Sequence, residues 1–225
     1  MILSSQVWHP LFLSAKTVGV SAILFVCIGV PLAYILSNRN LKFRWLLDMI
    51  VTLPLIFPPI AIGFLLLLLL GREGWLGHVL ASFDIHFIFS FPALVVAGFV
   101  SGLPLMVKPL QSAIEQFPKE IKEAAYICGK SALLTLILII LPTIKKSFFA
   151  ALLIACARAL GEVGITLMLG GNIIGKTDTI SLAIYNAVFD GEYHLALILS
   201  MVLIGISLVF FISLNWLQKH SKALI

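Results

Sequence analysis

The sequence predicts an all-α integral membrane protein with five transmembrane helices, and three observations carry that expectation. Of the 225 residues, 61% are hydrophobic and 11% charged, with a mean hydropathy of +1.13, whereas an ordinary soluble domain is about a quarter charged. Several apolar runs reach about 20 residues, enough to cross a hydrocarbon layer of roughly 30 Å as helices. Period-2 alternation of the barrel kind is absent, which leaves helices as the spanning structure whose backbone groups are satisfied internally. A single membrane domain over 1–225 is expected, with no repeat and no low-complexity tract.

The N-terminus, Met-Ile-Leu-Ser-Ser-Gln-Val-Trp-His-Pro, lacks a basic n-region and a small-residue cleavage site, so Leu11 onward is expected to be a retained first span over 11–36. The second is placed at 46–70, interrupted by Pro54, Pro58 and Pro59 and followed by Gly71-Arg72. The third covers 87–107, the fourth 147–169 and the fifth 194–217, each bounded by Gly, Pro, Asn or charged stretches. The segment 179–189 is apolar but only about 11 residues long, too short to cross. It is expected to be a re-entrant or outer-surface helix.

The basic residues orient the bundle. Arg39, Lys42 and Arg44 follow span one, Lys108, Lys119, Lys122, Lys130, Lys145 and Lys146 follow span three, and Lys219 and Lys222 lie in the tail. Lys16, Arg72 and Lys176 fall on the other side, with Glu73, Asp84, Asp178, Asp190 and Glu192, while Arg158 lies inside a span. Positive-inside bias places the first group in the cytoplasm, hence the N-terminus outside and the C-terminus inside. The net charge of +5 is thus a matter of topology and does not point to nucleic acid. Cys27, Cys128 and Cys156 show no paired or metal-ligand spacing, and His9, His78, His86, His194 and His220 sit near span ends with no ligand spacing.

The long loop 108–146 is the most informative stretch. It holds Glu123-Ala124-Ala125, Gly129 four residues on, and then Ile139-Ile140-Leu141-Pro142. Small side chains at 124 and 125 on a good helix former would let a partner's groove approach the backbone. Gly129 permits a sharp, left-handed turn between two short helices, and Pro142 is expected to end the second. Glu123 can meet a cationic or amide partner. The competing structural reading makes Ala-Ala helix filler and Gly129 an ordinary turn.

The order E-A-A-x3-G-x9-I-x-L-P resembles the cytoplasmic signature of permeases of ABC-type importers. Leu53-Pro54-Leu55-Ile56-Phe57-Pro58-Pro59-Ile60-Ala61-Ile62-Gly63, Ala157-Arg158-Ala159-Leu160-Gly161-Glu162-Val163-Gly164 and Gly170-Gly171-Asn172-Ile173-Ile174-Gly175-Lys176-Thr177-Asp178-Thr179 are similar to stretches of molybdate permeases, the last more than to sulfate permeases, and tungstate permeases share much of it, so tungstate and sulfate are the alternative substrates. Val163 stands where an aromatic is common in that group, and Ile174 and Ser181 where proline is frequent, which bears on local loop geometry. The resemblance implies a type I importer-like permease fold in the bacterial inner membrane and a homodimer of this chain. It further implies two ABC ATPase subunits docked on the Glu123 loop and an extracytoplasmic molybdate-binding protein. The chain itself would bind no cofactor, ATP and Mg being held by the partner ATPase.

Three constellations need weighing. Gly170 to Thr177 matches the phosphate-loop pattern G-x4-G-K-T, but that loop requires a preceding buried strand and a helix N-terminus facing the nucleotide, and here it leaves a membrane span on the outer side. A gate or partner-facing loop is expected instead. Arg158 and Glu162, four apart in span four, should pair, since an unpaired charge at mid-membrane costs at least about 2.5 kcal/mol. The pair is either an electropositive lining or, the favoured reading, a neutralised strut. The prolines of span two suit a moving pore wall or a static kink. A membrane-embedded enzyme would need a nucleophile–base pair or metal ligands at matching depth, which the sequence lacks, and an anion channel would differ by flux without ATP.

Overall fold

The computed structural model describes residues 2–72, 74–81 and 87–219. Glu73, Asp84, His86, His220 and Lys222 lie outside the described residues. The first span is a continuous rod: α1 (Ile2–Leu24) passes through a π-helical turn at Phe25–Gly29 into α2 (Val30–Ser37). Pro31 accounts for the turn. Proline has no N–H, and its ring collides with the carbonyl four residues back in a regular helix. Widening the preceding turn, so that Val30 N–H bonds the Phe25 carbonyl, makes room for the ring. The same device recurs at Leu136–Ile140, where Leu141 N–H bonds the Leu136 carbonyl just ahead of Pro142.

The second span is two helices, α3 (Arg44–Ile56) and α4 (Pro59–Leu70), followed by the short α5 (Trp75–Ala81). The third is α6 (Phe91–Glu115). The loop after it folds as α7 (Lys119–Ile127), α8 (Ala132–Thr135), the second π turn and α9 (Leu141–Thr143). The fourth span divides into α10 (Lys145–Leu160) and α11 (Gly164–Gly170), the short apolar segment is α12 (Ile180–Phe189), and the last is α13 (Tyr193–Lys219). Gln6–Ser37, Phe91–Glu115 and Tyr193–Leu217 are long and apolar enough to cross a bilayer unbroken. The other two predicted spans are built from half-helices.

Helix α6 is the axis of the bundle, packed against α1, α2, α3, α10 and α11. Gly98 and Gly102, four residues apart, make that closeness possible. A Cβ on Gly102 would stand 2.4 Å from Phe25 Cζ and 2.7 Å from the Ala155 carbonyl oxygen, and one on Gly98 3.0 Å from Ser21 Oγ. Small residues on one face let helix backbones approach where the hydrophobic effect supplies no drive between helices. Phe25 is fully buried there and stacks on Phe99 with centroids 5.6 Å apart.

The structure moves one boundary substantially. The 108–146 loop was expected to begin at Lys108, but α6 runs on to Glu115, with Leu110 and Ile114 fully buried. The charges that signalled a loop are neutralised by tertiary partners. Lys108 pairs with Asp48 of α3, Arg44 Nη2 lies 2.6 Å from Glu115 Oε1, and Arg39 Nη2 3.3 Å from Oε2. Gln111 donates to the Leu36 carbonyl and to Glu115. This polar knot ties the adjoining ends of the first three spans together.

Candidate coupling and gating sites

The coupling candidates occupy the extra-bundle loop that follows α6. Helix α7 begins after Phe117-Pro118 and is amphipathic, with Glu123 and Ala124 exposed and Ala125 buried. The expectation of a small-residue surface at both alanines is corrected here. Ala124 is the open one, whereas Ala125 turns inward. The end of α7 is a Schellman closure: Gly129 N–H bonds the Tyr126 carbonyl and Lys130 N–H the Ala125 carbonyl, with Gly129 at φ +76°. The left-handed turn expected at Gly129 is present. Ser131 Oγ then accepts Leu134 N–H at 3.3 Å and starts the second helix.

That second helix, Ala132–Thr143, ends one residue after Pro142, and the chain turns by 87° into α10. Leu141 is half-buried and Pro142 exposed at the corner. Two contacts fix α7 to the bundle. Lys122 Nζ donates to the Ile114 carbonyl at 2.9 Å, satisfying an end of α6. The Tyr34 and Tyr126 hydroxyls meet at 3.1 Å. Burial, and then the neighbouring Lys119, lower the Lys122 ammonium below its ordinary pKa.

The gate candidates converge from the two broken spans. Pro54 lies within α3, which stops at Ile56. Phe57 is extended, and Pro58 (φ −57°, ψ 133°) leads into Pro59 at the start of α4. A proline at the first helical position has no N–H to leave unpaired. Half-helix α4 crosses α11 closely: the nearest neighbours of a Cβ on Gly63 would be Met168 Cβ at 2.8 Å and Ile165 Cα at 3.0 Å, and for Gly164 they would be Pro59 and Ile60 at 2.9–3.0 Å. The two breaks therefore sit side by side.

Arg158 and Glu162 are paired as expected, Nη1 to Oε2 at 2.7 Å, with the carboxylate buried and the guanidinium half-buried. This is a charge contact without hydrogen-bond alignment. The other carboxylate oxygen accepts Ile165 N–H at 2.8 Å and so caps α11. Sequence reasoning had the pair but not the cap, although an acid three residues before a helical N–H is the pattern to look for. The cap explains how α10 can break at Gly161–Val163 and restart in an apolar setting.

The phosphate-loop look-alike is preceded by helix α11, not a strand. Its Thr177 hydroxyl is buried, donating to the Gly170 carbonyl and accepting Ile173 N–H, both at 2.8 Å. Asp178 accepts Gly175 N–H and lies 3.3 Å from His9 Nδ1, while Asn172 and Asn186 exchange amide hydrogen bonds. The loop is cross-linked to α1 and α12, and His9, assigned no role from sequence, is one of its partners.

The chain is a helical membrane bundle with two spans broken side by side and an amphipathic helix–glycine–helix elbow at one end. Residues 26–223 match the family described as "Binding-protein-dependent transport system inner membrane component", and the chain belongs to it. Among curated relatives it is 38% identical to the probable transport system permease protein NifC of Clostridium pasteurianum, over 80% of this chain and 63% of that protein. It is 31% identical to the molybdenum transport system permease protein ModB of Escherichia coli K12, over 99% of this chain and 98% of that one. It is also 32% identical to the sulfate transport system permease protein CysW of Synechococcus elongatus, over 84% and 66% respectively. The fold is shared with a bacterial alginate ABC transporter crystallised with its pentasaccharide-bound periplasmic protein, at TM-score 0.74 and 19% identity over 96% of this chain and 79% of that one. The chain is thus an inner-membrane permease subunit, not an enzyme.

Proposed function

We propose that this chain carries molybdate across the cytoplasmic membrane as the permease of an ATP-driven importer working by alternating access. The end-to-end similarity to the molybdenum permease is the observation that carries the substrate. Similarity to the sulfate permease favours sulfate as the second reading, and tungstate shares molybdate's tetrahedral dianionic form. Two copies of the chain form the pore, with the N-termini outside and the C-termini in the cytoplasm. An extracytoplasmic binding protein delivers the anion, and two ABC ATPases, which hold ATP and Mg, dock on the exposed side of α7.

In this scheme Glu123 and Ala124 contact the ATPase, Ala125 and Gly129 set the elbow's shape, and Leu141-Pro142 form its corner. ATP-driven closure of the ATPases draws the elbows together and tilts the spans attached to them. Pro54, Pro58 and Pro59 free the adjoining half-helices to move as a pore wall, while the Arg158–Glu162 pair keeps the second break neutral and folded. Uptake of labelled molybdate, competed by tungstate and by sulfate, tests the substrate. Competition by sulfate at equal or lower concentration than molybdate would transfer the assignment. Glu123→Lys and Gly129→Pro should each leave the chain inserted and abolish ATP-coupled uptake, and unchanged uptake in both would remove the elbow's assigned role.

A further inference from the structure

We propose that the cleft between the end of span one and α7 is a binding site for a phosphate-class oxyanion, the chemistry shared by an anionic lipid headgroup and free phosphate. The cleft encloses about 710 Å³ and is lined by Arg39, Lys119, Lys122, Glu115, Tyr34 and Tyr126 among others. Three cations meet one carboxylate there, and that carboxylate is already held by Arg44 at 2.6 Å, by Arg39 at 3.3 Å and by Gln111. Positive charge is therefore in excess along the cleft, with Arg39 and Lys119 exposed and Lys122 half-buried. Lys122 spends one hydrogen on the Ile114 carbonyl, leaving two, and in the Tyr34–Tyr126 contact one hydroxyl keeps a proton to donate. Tetrahedral oxyanions are recognised by such convergent ammonium, guanidinium and hydroxyl donors.

The site adjoins the surface assigned above to the ATPase, because Glu123 lies four residues from Lys119 on α7, but its lining residues do not rest on that assignment. Lys119, Lys122 and Tyr126 follow the i, i+3, i+7 spacing of one side of α7, and they line the cleft. Glu123 lies about 40° around the helix from Lys119 and Ala124 about 140°, so the side assigned to the ATPase begins beside the cleft and turns away from it. An anion bound here would bridge Arg39, beyond α2, to Lys119 and Lys122 on α7, and so hold the elbow against the first span.

The test uses the complete transporter, this chain with its ATPase, purified in detergent and stripped of lipid. Native mass spectrometry would follow retention of phosphatidic acid, with phosphatidylcholine as the zwitterionic control, in a titration of inorganic phosphate. Arg39→Gln with Lys119→Gln should weaken retention by about tenfold for each charge-assisted contact removed, and Arg39→Lys with Lys119→Arg should restore most of it. Both positions are exposed; because Arg39 also pairs with Glu115, the melting temperature of each variant is measured, and Lys119→Gln alone should weaken retention at an unchanged melting temperature. Phosphatidic acid binding that phosphate does not displace identifies the lipid headgroup. Displacement at equal phosphate concentration identifies the free ion. Equal retention of phosphatidylcholine, no binding of either probe, or binding unaffected by the double substitution overturns the proposal.

Discussion

Gly102 shows how much one hydrogen in place of a methyl group decides in this bundle. Its Cα faces the Phe25 ring edge and the Ala155 carbonyl so closely that Gly102→Ala would put a carbon 2.4 Å from Cζ and 2.7 Å from the oxygen. One of those neighbours is backbone and cannot rotate away, so separation of α6 from α10 is expected, with a loss of about 1–3 kcal/mol. Thermal unfolding of the detergent-solubilised chain measures it. Gly129 is the opposite case. A Cβ there meets nothing within 4 Å, so Gly129→Ala costs only the left-handed backbone preference, about 1–2 kcal/mol. Loss of transport by Gly129→Ala at normal abundance would separate elbow geometry from folding.

At the scale of elements, broken spans need their polar ends satisfied inside an apolar setting. Glu162 does this for α11 while neutralising Arg158. Arg158→Met leaves the buried carboxylate with its cap but without its counter-charge, and a destabilisation of about 3–5 kcal/mol is expected. Arg158→Met with Glu162→Gln should recover part of that loss, because glutamine can still accept the Ile165 N–H and no charge remains. A double-mutant cycle on melting temperatures reads the difference. The two π turns belong to the same scale. Each ends one residue short of the residue before a proline, at Val30-Pro31 and Leu141-Pro142; span one runs on through its proline, whereas the elbow's second helix ends one residue past Pro142.

For the whole molecule, orientation in the membrane is testable with the native cysteines. Cys128 is exposed at the end of α7, Cys156 is buried in α10, and Cys27 is exposed on the side of span one. A membrane-impermeant maleimide should label Cys128 in inverted vesicles and not in right-side-out ones, and bound ATPase should slow that labelling. Cys27 lies within a span whose surroundings are hydrocarbon, so it should stay unlabelled in both. Labelling of Cys128 from the outside would reverse the topology and remove the elbow from the ATPase's reach.

The sequence alone determined the membrane class, the existence of each long helix, the left-handed turn at Gly129 and the pairing of Arg158 with Glu162. These are consequences of local composition and of spacing along one helix, where neighbours in sequence are neighbours in space. Tertiary structure alone decided that α6 continues past Lys108, because its charges are met by Asp48, Arg39 and Arg44 from distant positions. It also turned Ala125 inward and Ala124 outward, and brought the breaks of spans two and four together through Gly63 and Gly164. Hydrophobic periodicity reports how a segment is solvated on average. Which charge meets which partner, and which small residue admits which backbone, depends on contacts between residues far apart in the chain, and those exist only once the helices have packed.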